Sequence, residues 1–169
     1  IGFDEMEYGD RYIRIPNYIM NLKYSKVNEL VNQRQNGIVS DITVKTGFCS
    51  TVVSNGNGSN IRDYIFDELS KYKQVASGGR YRNNIGMPQG VTDKLDFQKK
   101  YKFALAIENT SYAGYTTEKL MEAFAAGGIP IYWGDPEVGR YFNENAFINV
   151  MAYETVEDAI RKVIEVDQN

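Results

Sequence analysis

The chain of 169 residues contains no histidine and only one cysteine, Cys49. The lack of histidine excludes His-ligated zinc sites, His general bases and every Ser-His or Cys-His nucleophile pair within this sequence. A single cysteine cannot form an intrachain disulfide, so a small secreted domain stabilised by disulfides is excluded as well. Any chemistry of this sequence therefore rests on carboxylates, amides, hydroxyls, lysines and arginines.

Two further absences concern membranes and nucleic acids. No run of about 18 apolar residues occurs, so the sequence predicts no transmembrane segment. The formal net charge of −3 lacks the basic excess that broad binding of nucleic acids or acidic membranes requires, and we expect no nucleic-acid partner. We expect a cytoplasmic protein. Peripheral association with the inner membrane through a further tail stays open.

Strand and helix patterns alternate about five times from residue 48 onward, which predicts an α/β fold with a Rossmann-like, doubly wound parallel sheet. The predicted strands cover residues 48–55, 74–77, 102–107, 129–133 and 147–150. The predicted helices cover residues 61–72 and about 93–100, and two more begin after Thr116 or Thr117 and after Thr155. A further short helix is predicted from the turn at Pro136 through Tyr141. Residues 1–48 are the least regular part, with a weakly periodic polar helix at 26–35.

The most informative stretch is 101–134, which is typical of a strand, a polar loop, a helix ended by Gly127-Gly128, and a second strand. Ligands of open α/β sheets bind beyond the carboxyl ends of the strands, where free helix amides favour anions. The side chains predicted to converge there are Asn109, Tyr115, Glu118 and Lys119. A nucleotide phosphate site is one interpretation. The other, an ordinary solvated loop and helix start, stays open on these residues alone.

A second candidate lies in the turn after the first predicted strand. Gly56-x-Gly58 resembles half of a dinucleotide fingerprint but lacks the third glycine, which argues against a Rossmann dehydrogenase. Arg62 follows in the first helical turn, where a guanidinium can bind phosphate oxygens bidentately. Taken alone, Arg62 is more typical of a surface arginine.

An acidic cluster near the start of the chain is the remaining candidate for chemistry. Neighbouring carboxylates can act in acid-base catalysis or hold a metal, but two arginines, Arg11 and Arg14, follow closely. We therefore expect these carboxylates to pair with the arginines or to face water, and we predict no metal site. The cluster consists of Asp4, Glu5, Glu7 and Asp10.

Three motifs together resemble the α1,3/α1,4-fucosyltransferase family, in its bacterial branch. They are Glu108-Asn109-Thr110 followed by the 114–119 segment GYTTEK, then IPIYWG at 129–134, then Phe142-Asn143 with FINV at 147–150. The similarity covers nearly the whole chain, and a block of this length is specific.

The resemblance implies the C-terminal half of a two-domain GT-B glycosyltransferase. Residues 49–169 would form the GDP-sugar-binding Rossmann-like domain, and residues 1–48 a remnant of the acceptor-side domain with its connector. The implied reaction is an inverting transfer of L-fucose from GDP-fucose to an N-acetylglucosamine-containing glycan. The glycan would bind through the acceptor-side domain, and neither a cofactor nor an obligatory metal is expected.

The resemblance also implies residue roles. Arg62 and Lys119 would contact the diphosphate, and Asn109, Tyr115 and Glu118 would bind the phosphate, ribose or fucose. No catalytic residue is identified, because the general base is expected in a glutamate upstream of Ile1. We therefore expect the chain to bind GDP and GDP-fucose weakly without turnover. Two alternatives remain: a glycosyltransferase using another GDP-sugar such as GDP-mannose, and a non-catalytic nucleotide-binding or interaction module.

Overall fold

The computed structural model describes residues 1–4, 6, 8–20 and 41–169. The helix predicted at 26–35, and with it Glu5 and Glu7 of the acidic cluster, lies outside these described residues.

The described part is built on one sheet of five parallel strands in the order β2-β1-β3-β4-β5. All neighbouring strands run in the same direction, and the longest register pairs Phe103 to Ile107 with Ile129 to Trp133. The strands are β1 Gly47–Thr51, β2 Val75–Ser77, β3 Tyr101–Ile107, β4 Ile129–Trp133 and β5 Ile148–Asn149.

Helices cover both faces of the sheet. They are α1 Asn17–Met20, α2 Asn60–Tyr72, α3 Lys94–Gln98, α4 Glu118–Ala125 and α5 Val156–Gln168. Helices α2 and α5 pack on one face, and α4 packs on the other. The predicted fold class, a parallel sheet flanked by helices, is confirmed.

Strand β3 shows why the sheet is buried on both faces. Phe103, Leu105 and Ile107 point into the larger hydrophobic cluster beside α2 and α5, whereas Ala104 and Ala106 point into the smaller cluster beside α4. Successive side chains of a strand alternate between the two faces, so an uninterrupted apolar segment is required here. The two alanines leave room for α4 to approach the sheet closely.

Two predicted elements are shorter in the structure. The strand predicted to end at residue 55 ends at Thr51, because Val53 accepts a hydrogen bond from the Tyr81 amide in a loop instead of continuing the ladder. Gly79 permits this approach, since a Cβ atom there would lie 1.9 Å from the carbonyl oxygen of Val53. The helix predicted after Pro136 is a single 3₁₀ turn, Val138–Arg140.

Helix α5 begins as predicted at Thr155, which forms a reciprocal capping box with Asp158. Its far end carries a feature that the periodicity did not predict: Asp167 is buried, with 1% of its side chain exposed. Its carboxylate accepts hydrogen bonds from Lys73 at 2.5 Å, Lys102 at 2.9 Å and Tyr72 at 3.1 Å. This cluster joins the end of α5 to the end of α2 and to β3.

Asp167→Asn is expected to lower the free energy of unfolding at neutral pH by roughly 1–2 kcal/mol, because the partly hydrated lysines lose their carboxylate. Burial alone would raise the pKa of Asp167, but the hydrogen bonds from Lys73, Lys102 and Tyr72 lower it below the ordinary 3.8. Such a carboxyl stabilises the fold above its unfolded pKa and loses that effect as the pH falls through the folded pKa.

Chemical unfolding of both proteins at several pH values checks this prediction. The difference in free energy of unfolding should be constant at neutral pH and should shrink once the pH falls below 3.8. A difference that stays constant throughout the acid range would contradict it. The control is Asp96→Asn, which removes an exposed ion pair with Lys99 and should change stability little.

Candidate functional site

The site is organised by a carboxylate at the end of β3. Glu108 follows the last residue of the strand and is completely buried. Its side chain accepts hydrogen bonds from the Thr117 amide at 2.7 Å and from the Thr117 hydroxyl at 2.7 Å. Thr116 or Thr117 was predicted to cap α4, and Thr117 is the N-cap residue. Its hydroxyl forms no capping bond to the helix, however, because it donates to Glu108.

Glu108 also binds Lys119, in the first turn of α4. The Nζ atom of Lys119 lies 2.8 Å from Oε2 of Glu108 and 3.0 Å from the hydroxyl of Thr117, and 17% of the lysine side chain is exposed. A lysine ammonium has three N–H donors. These two bonds fix the position of Lys119 and leave one donor for a ligand beyond the edge of the sheet.

Arg62 is buried, with 4% of its surface exposed, so the expectation of a surface arginine is wrong. Its guanidinium donates to the carbonyl oxygens of Asn55 at 3.4 Å and Gly56 at 3.2 Å, and more weakly to Oδ1 of Asn109 at 3.5 Å. These acceptors are all neutral. Within the described ranges, Nε of Arg62 is buried and has no hydrogen-bond partner.

The glycines of the turn before α2 explain this burial. A Cβ atom on Gly58 would lie 3.0 Å from both terminal nitrogens of Arg62, and one on Gly56 would lie 2.6 Å from the ring of Tyr81. The Tyr81 ring in turn lies 5.4 Å from the centre of the guanidinium. The two glycines therefore let the turn fold over the arginine, which is a different role from that of a dinucleotide fingerprint.

Electrostatics make this position of Arg62 costly in the absence of a ligand. The residue lies in the first turn of α2, where the helix dipole disfavours a cation. The carboxylate of the next residue, Asp63, is bound instead to the Tyr81 hydroxyl at 2.9 Å and to Arg82 at 3.6 Å. Among the residues that the structure describes, no carboxylate forms an ion pair with Arg62. An anionic ligand would offset both the unfavourable helix dipole and the lack of a negatively charged partner.

A second buried carboxylate shapes the loop between β3 and α4. Asp135 accepts hydrogen bonds from the Gly114 amide at 3.0 Å and from the Thr116 hydroxyl at 2.9 Å. Its own amide donates to the hydroxyl of Tyr132 at 2.9 Å. Burial raises the pKa of Tyr132 well above its ordinary value, so the phenol stays protonated and can donate to Thr116. Asp135 and Glu108 together thus hold residues 114–117, the end of the loop that leads into α4.

The structure brings together part of the predicted site. Arg62 and Asn109 are in contact, and Lys119 lies 4.0 Å from Glu118 and next to Glu108, the neighbour of Asn109 in sequence. Tyr115 lies on the same loop and packs against the ring of Phe3. All five predicted residues follow strands β1 or β3 at their carboxyl ends.

Two site residues were missed by the sequence reasoning. Neither Glu108 nor Asp135 was assigned a role from the sequence. Complete burial distinguishes them, and burial depends on contacts with Thr116, Thr117 and Lys119 that sequence spacing does not show. The sequence did contain one indication of this role. An acidic residue directly after a buried strand, such as Glu108, is itself often buried and then needs hydrogen-bond partners.

Two members of the acidic cluster, Asp4 and Asp10, lie within the described residues. Asp10 is exposed, in agreement with the prediction, whereas Oδ1 of Asp4 is buried and has no hydrogen-bond partner among these residues. Arg14 donates to the carbonyl oxygen of Phe3 at 2.9 Å. Within residues 1–4, 6, 8–20 and 41–169, no group of three or more acidic or cysteine side chains is placed to hold a metal ion. None of the helices in these ranges has the length and apolar character needed to cross a membrane.

Known proteins share this fold. Residues 42–169 match the family described as Glycosyltransferase family 10 (fucosyltransferase) C-term. The chain is similar to the alpha-(1,3)-fucosyltransferase FucT of Helicobacter pylori, with 35% identity over 95% of this chain and 38% of that protein. It is also similar to a crystal structure of alpha1,3-fucosyltransferase with GDP-fucose, with 31% identity and a TM-score of 0.79, and to one with GDP, with 33% identity and a TM-score of 0.80.

Each of these two structures is matched over 98% of this chain and 56% of that chain. The chain therefore spans little more than half of the solved proteins and 38% of the Helicobacter pylori relative. The similarity to the fucosyltransferases that the motifs indicated is confirmed by the family match and by the fold. This chain belongs to glycosyltransferase family 10, the fucosyltransferases.

Proposed function

We propose that this chain binds GDP-fucose, the donor of an inverting α1,3/α1,4-fucosyl transfer, at the carboxyl edge of its sheet. The observation that carries the proposal is the buried guanidinium of Arg62, which has only neutral acceptors among the described residues. An uncompensated buried charge costs several kcal/mol, and the phosphate of a nucleotide would supply the missing partner. The GDP and GDP-fucose named for the similar crystal structures support the choice of ligand.

The diphosphate would lie between Arg62 and the start of α4. The third N–H donor of Lys119 and the free amides of the first helical turn are the other donors available there. Negative charge grows on the diphosphate as the bond to fucose breaks, so fixed cations and the positive end of the helix dipole stabilise the departing GDP. We propose that these groups do this without a metal ion.

The remaining predicted residues suit the sugar part of the donor. The carboxylate of Glu118 accepts hydrogen bonds and repels phosphate, so sugar hydroxyls are its natural partners. Tyr115 offers a ring and a hydroxyl on the loop beside it. Asn109 contacts Arg62 through its side-chain oxygen, which leaves its amide group as a donor for ribose or phosphate.

The acceptor side of the reaction is also part of the proposal. We propose an N-acetylglucosamine-containing glycan as the acceptor and a general base outside this chain, which spans 38% of the Helicobacter pylori relative. The buried carboxylates at this edge, Glu108 and Asp135, are engaged by their own structural hydrogen bonds and are poorly suited to the task. We expect this chain to bind donor without turnover, and a clear rate of fucosyl transfer would contradict that expectation.

Calorimetric titration with GDP, GDP-fucose and GDP-mannose tests the donor assignment. We expect GDP-fucose to bind more tightly than GDP-mannose, because only mannose carries the 6-hydroxyl. Lys119→Ala is expected to weaken GDP about 10- to 100-fold, since a hydrogen bond to a charged group contributes about 1.5–3 kcal/mol.

The matched control is Lys71→Ala, which removes an exposed lysine from α2 and should leave GDP affinity unchanged. Tighter binding of GDP-mannose would indicate the alternative donor. Unchanged GDP binding in Lys119→Ala would favour a module whose loops serve another purpose.

A further inference from the structure

The first residues of the chain form a strap across the loop between β3 and α4. The strap consists of residues 2–4 and 12–15, which are paired by hydrogen bonds from the Ile15 amide to the Gly2 carbonyl at 2.8 Å and from the Tyr12 hydroxyl to the Asp4 carbonyl at 2.8 Å. Arg14 completes the pairing by donating from Nε to the carbonyl oxygen of Phe3 at 2.9 Å.

Phe3 is the point at which the strap contacts the loop. Its ring packs edge-on against Tyr115, with ring centres 5.6 Å apart and planes at 61°, and against Tyr112 at 6.0 Å and 83°. Such aromatic pairs favour one relative orientation of the rings. The backbones of the strap and the loop are also in close contact, since a Cβ atom on Gly114 would lie 2.9 Å from the carbonyl oxygen of Phe3.

The strap and the helix that follows it also contact residues 141 and 142. The guanidinium of Arg14, in the strap, lies over the ring of Tyr141, 4.6 Å from its centre, and Tyr18 of α1 packs against Phe142 at 5.1 Å. The loop is therefore enclosed between the strap on one side and Asp135, which binds the Gly114 amide, on the other. Gly114 has a φ of +79°, a conformation that side chains disfavour.

We infer that Phe3 is a positioning residue of the donor site, which acts by holding Tyr115 in the orientation that binds the sugar nucleotide. This inference rests on the proposed function for the role of Tyr115, and it adds a residue that lies more than one hundred positions away in the sequence. It also assigns a task to the segment before α1: an element outside the parallel sheet sets the shape of the donor loop.

The first test needs no ligand. Amide hydrogen exchange followed by NMR compares the unsubstituted protein, Phe3→Ala and the control Ile13→Ala, whose side chain belongs to the strap but is 62% exposed. The reporting amides are those of Gly114, bound to Asp135, and Tyr115, bound to the carbonyl of Tyr112. We expect both to exchange faster in Phe3→Ala and at an unchanged rate in Ile13→Ala. Equal exchange in all three proteins would overturn the inference.

The second test is a double-mutant cycle on GDP-fucose affinity. Phe3→Ala is expected to weaken binding about threefold to tenfold, the range of one edge-to-face aromatic contact. In a Tyr115→Ala background the same substitution should change affinity less than about twofold, because residues that act through one another are not additive. A general loss of folding would instead lower affinity equally in both backgrounds, and that result would overturn the inference.

Phe3→Leu guards against a variant that is merely unfolded, since it retains apolar contact and should restore most of the protection of both amides. Absence of GDP-fucose binding in the unsubstituted protein would refute the proposed function and the donor role of Tyr115. The exchange experiment would still decide separately whether Phe3 holds the loop.

Discussion

Arg62→Met is expected to abolish most of the GDP affinity while leaving the ligand-free protein at least as stable. Truncating one partner of a buried charge pair costs about 2–5 kcal/mol, so GDP should bind about 30-fold to several thousandfold more weakly. In the free protein, however, Arg62 is a buried cation at the wrong end of a helix dipole, with no carboxylate partner in the described part of the chain. An apolar side chain of similar length removes that cost.

Calorimetry and chemical unfolding measure the two effects separately. Guanosine, which has no phosphate, should bind equally well to Arg62→Met and to the unsubstituted protein. Arg161→Ala serves as the control, because that arginine is exposed on α5 and should matter to neither measurement. If Arg62→Met lost several kcal/mol of stability but kept its GDP affinity, Arg62 would be a structural residue, and the phosphate assignment would be wrong.

Arg62→Lys sharpens the same test. Lysine keeps the positive charge but offers a point charge in place of a planar, bidentate fork. We expect it to recover only part of the GDP affinity. Full recovery would mean that charge alone is required at this position.

The second large effect is expected on folding. Glu108→Gln should lower the free energy of unfolding by about 3–5 kcal/mol, because the largely buried ammonium of Lys119 loses its buried counter-charge and keeps only the more exposed Glu118, 4.0 Å away. Glutamine keeps an acceptor for the Thr117 amide, so the loss of stability reflects the missing charge rather than a disrupted start of α4. Glu108→Ala should cost more, since the amide and the hydroxyl of Thr117 then lose their acceptor as well.

Two further variants separate this pair from ordinary surface charge. Glu165→Gln removes an exposed ion pair with Lys162 and should cost less than about 1 kcal/mol. Glu108→Gln combined with Lys119→Met should regain part of the lost stability, since no unpaired charge remains, but should not regain GDP binding. If Glu108→Gln were as stable as Glu165→Gln, the buried pair of Glu108 and Lys119 would contribute little to the free energy of unfolding.

The carboxylate of Glu108 and the guanidinium of Arg62 contribute differently to the site. Glu108 neutralises Lys119 and fixes it in the first turn of α4. Among the described residues, Arg62 has only neutral acceptors, including two carbonyl oxygens in the loop after β1. The uncompensated positive charge of the site is therefore that of Arg62. Glu108 contributes by fixing the position of Lys119. A diphosphate placed between them would meet the third N–H donor of Lys119, which Glu108 holds in place, and the desolvated cation of Arg62.

The parallel sheet was predictable because its strands are marked by local pattern. Strands β3 and β4 are apolar on both faces, and their predicted limits agree with the structure to within one residue. Helix α5 was equally clear, since Thr155 and Asp158 form a capping signal within four residues. In each case the information lies within a single element.

The features that the sequence did not predict depend on contacts between distant segments. Arg62 is buried because the Tyr81 ring packs over Gly56, and Asp167 is buried because Lys73 and Lys102 reach it from two other elements. Hydrophobic periodicity does not reveal such contacts, since Arg62, Asp167 and the two lysines are all of residue types that usually lie on the surface. The family resemblance compensated in part, because it assigned Arg62 to the diphosphate, whereas the local sequence alone was more typical of a surface arginine.

A crystal structure of this chain with GDP tests the role of Arg62 most directly. We expect a diphosphate oxygen within about 2.7–3.1 Å of the Arg62 guanidinium, with another facing Nζ of Lys119 and the first amides of α4. Arg62 should then exchange its weak carbonyl contacts for bonds to phosphate. A diphosphate bound elsewhere, with Arg62 still directed only at Asn55 and Gly56, would contradict the central claim that this buried cation is the anchor of the nucleotide.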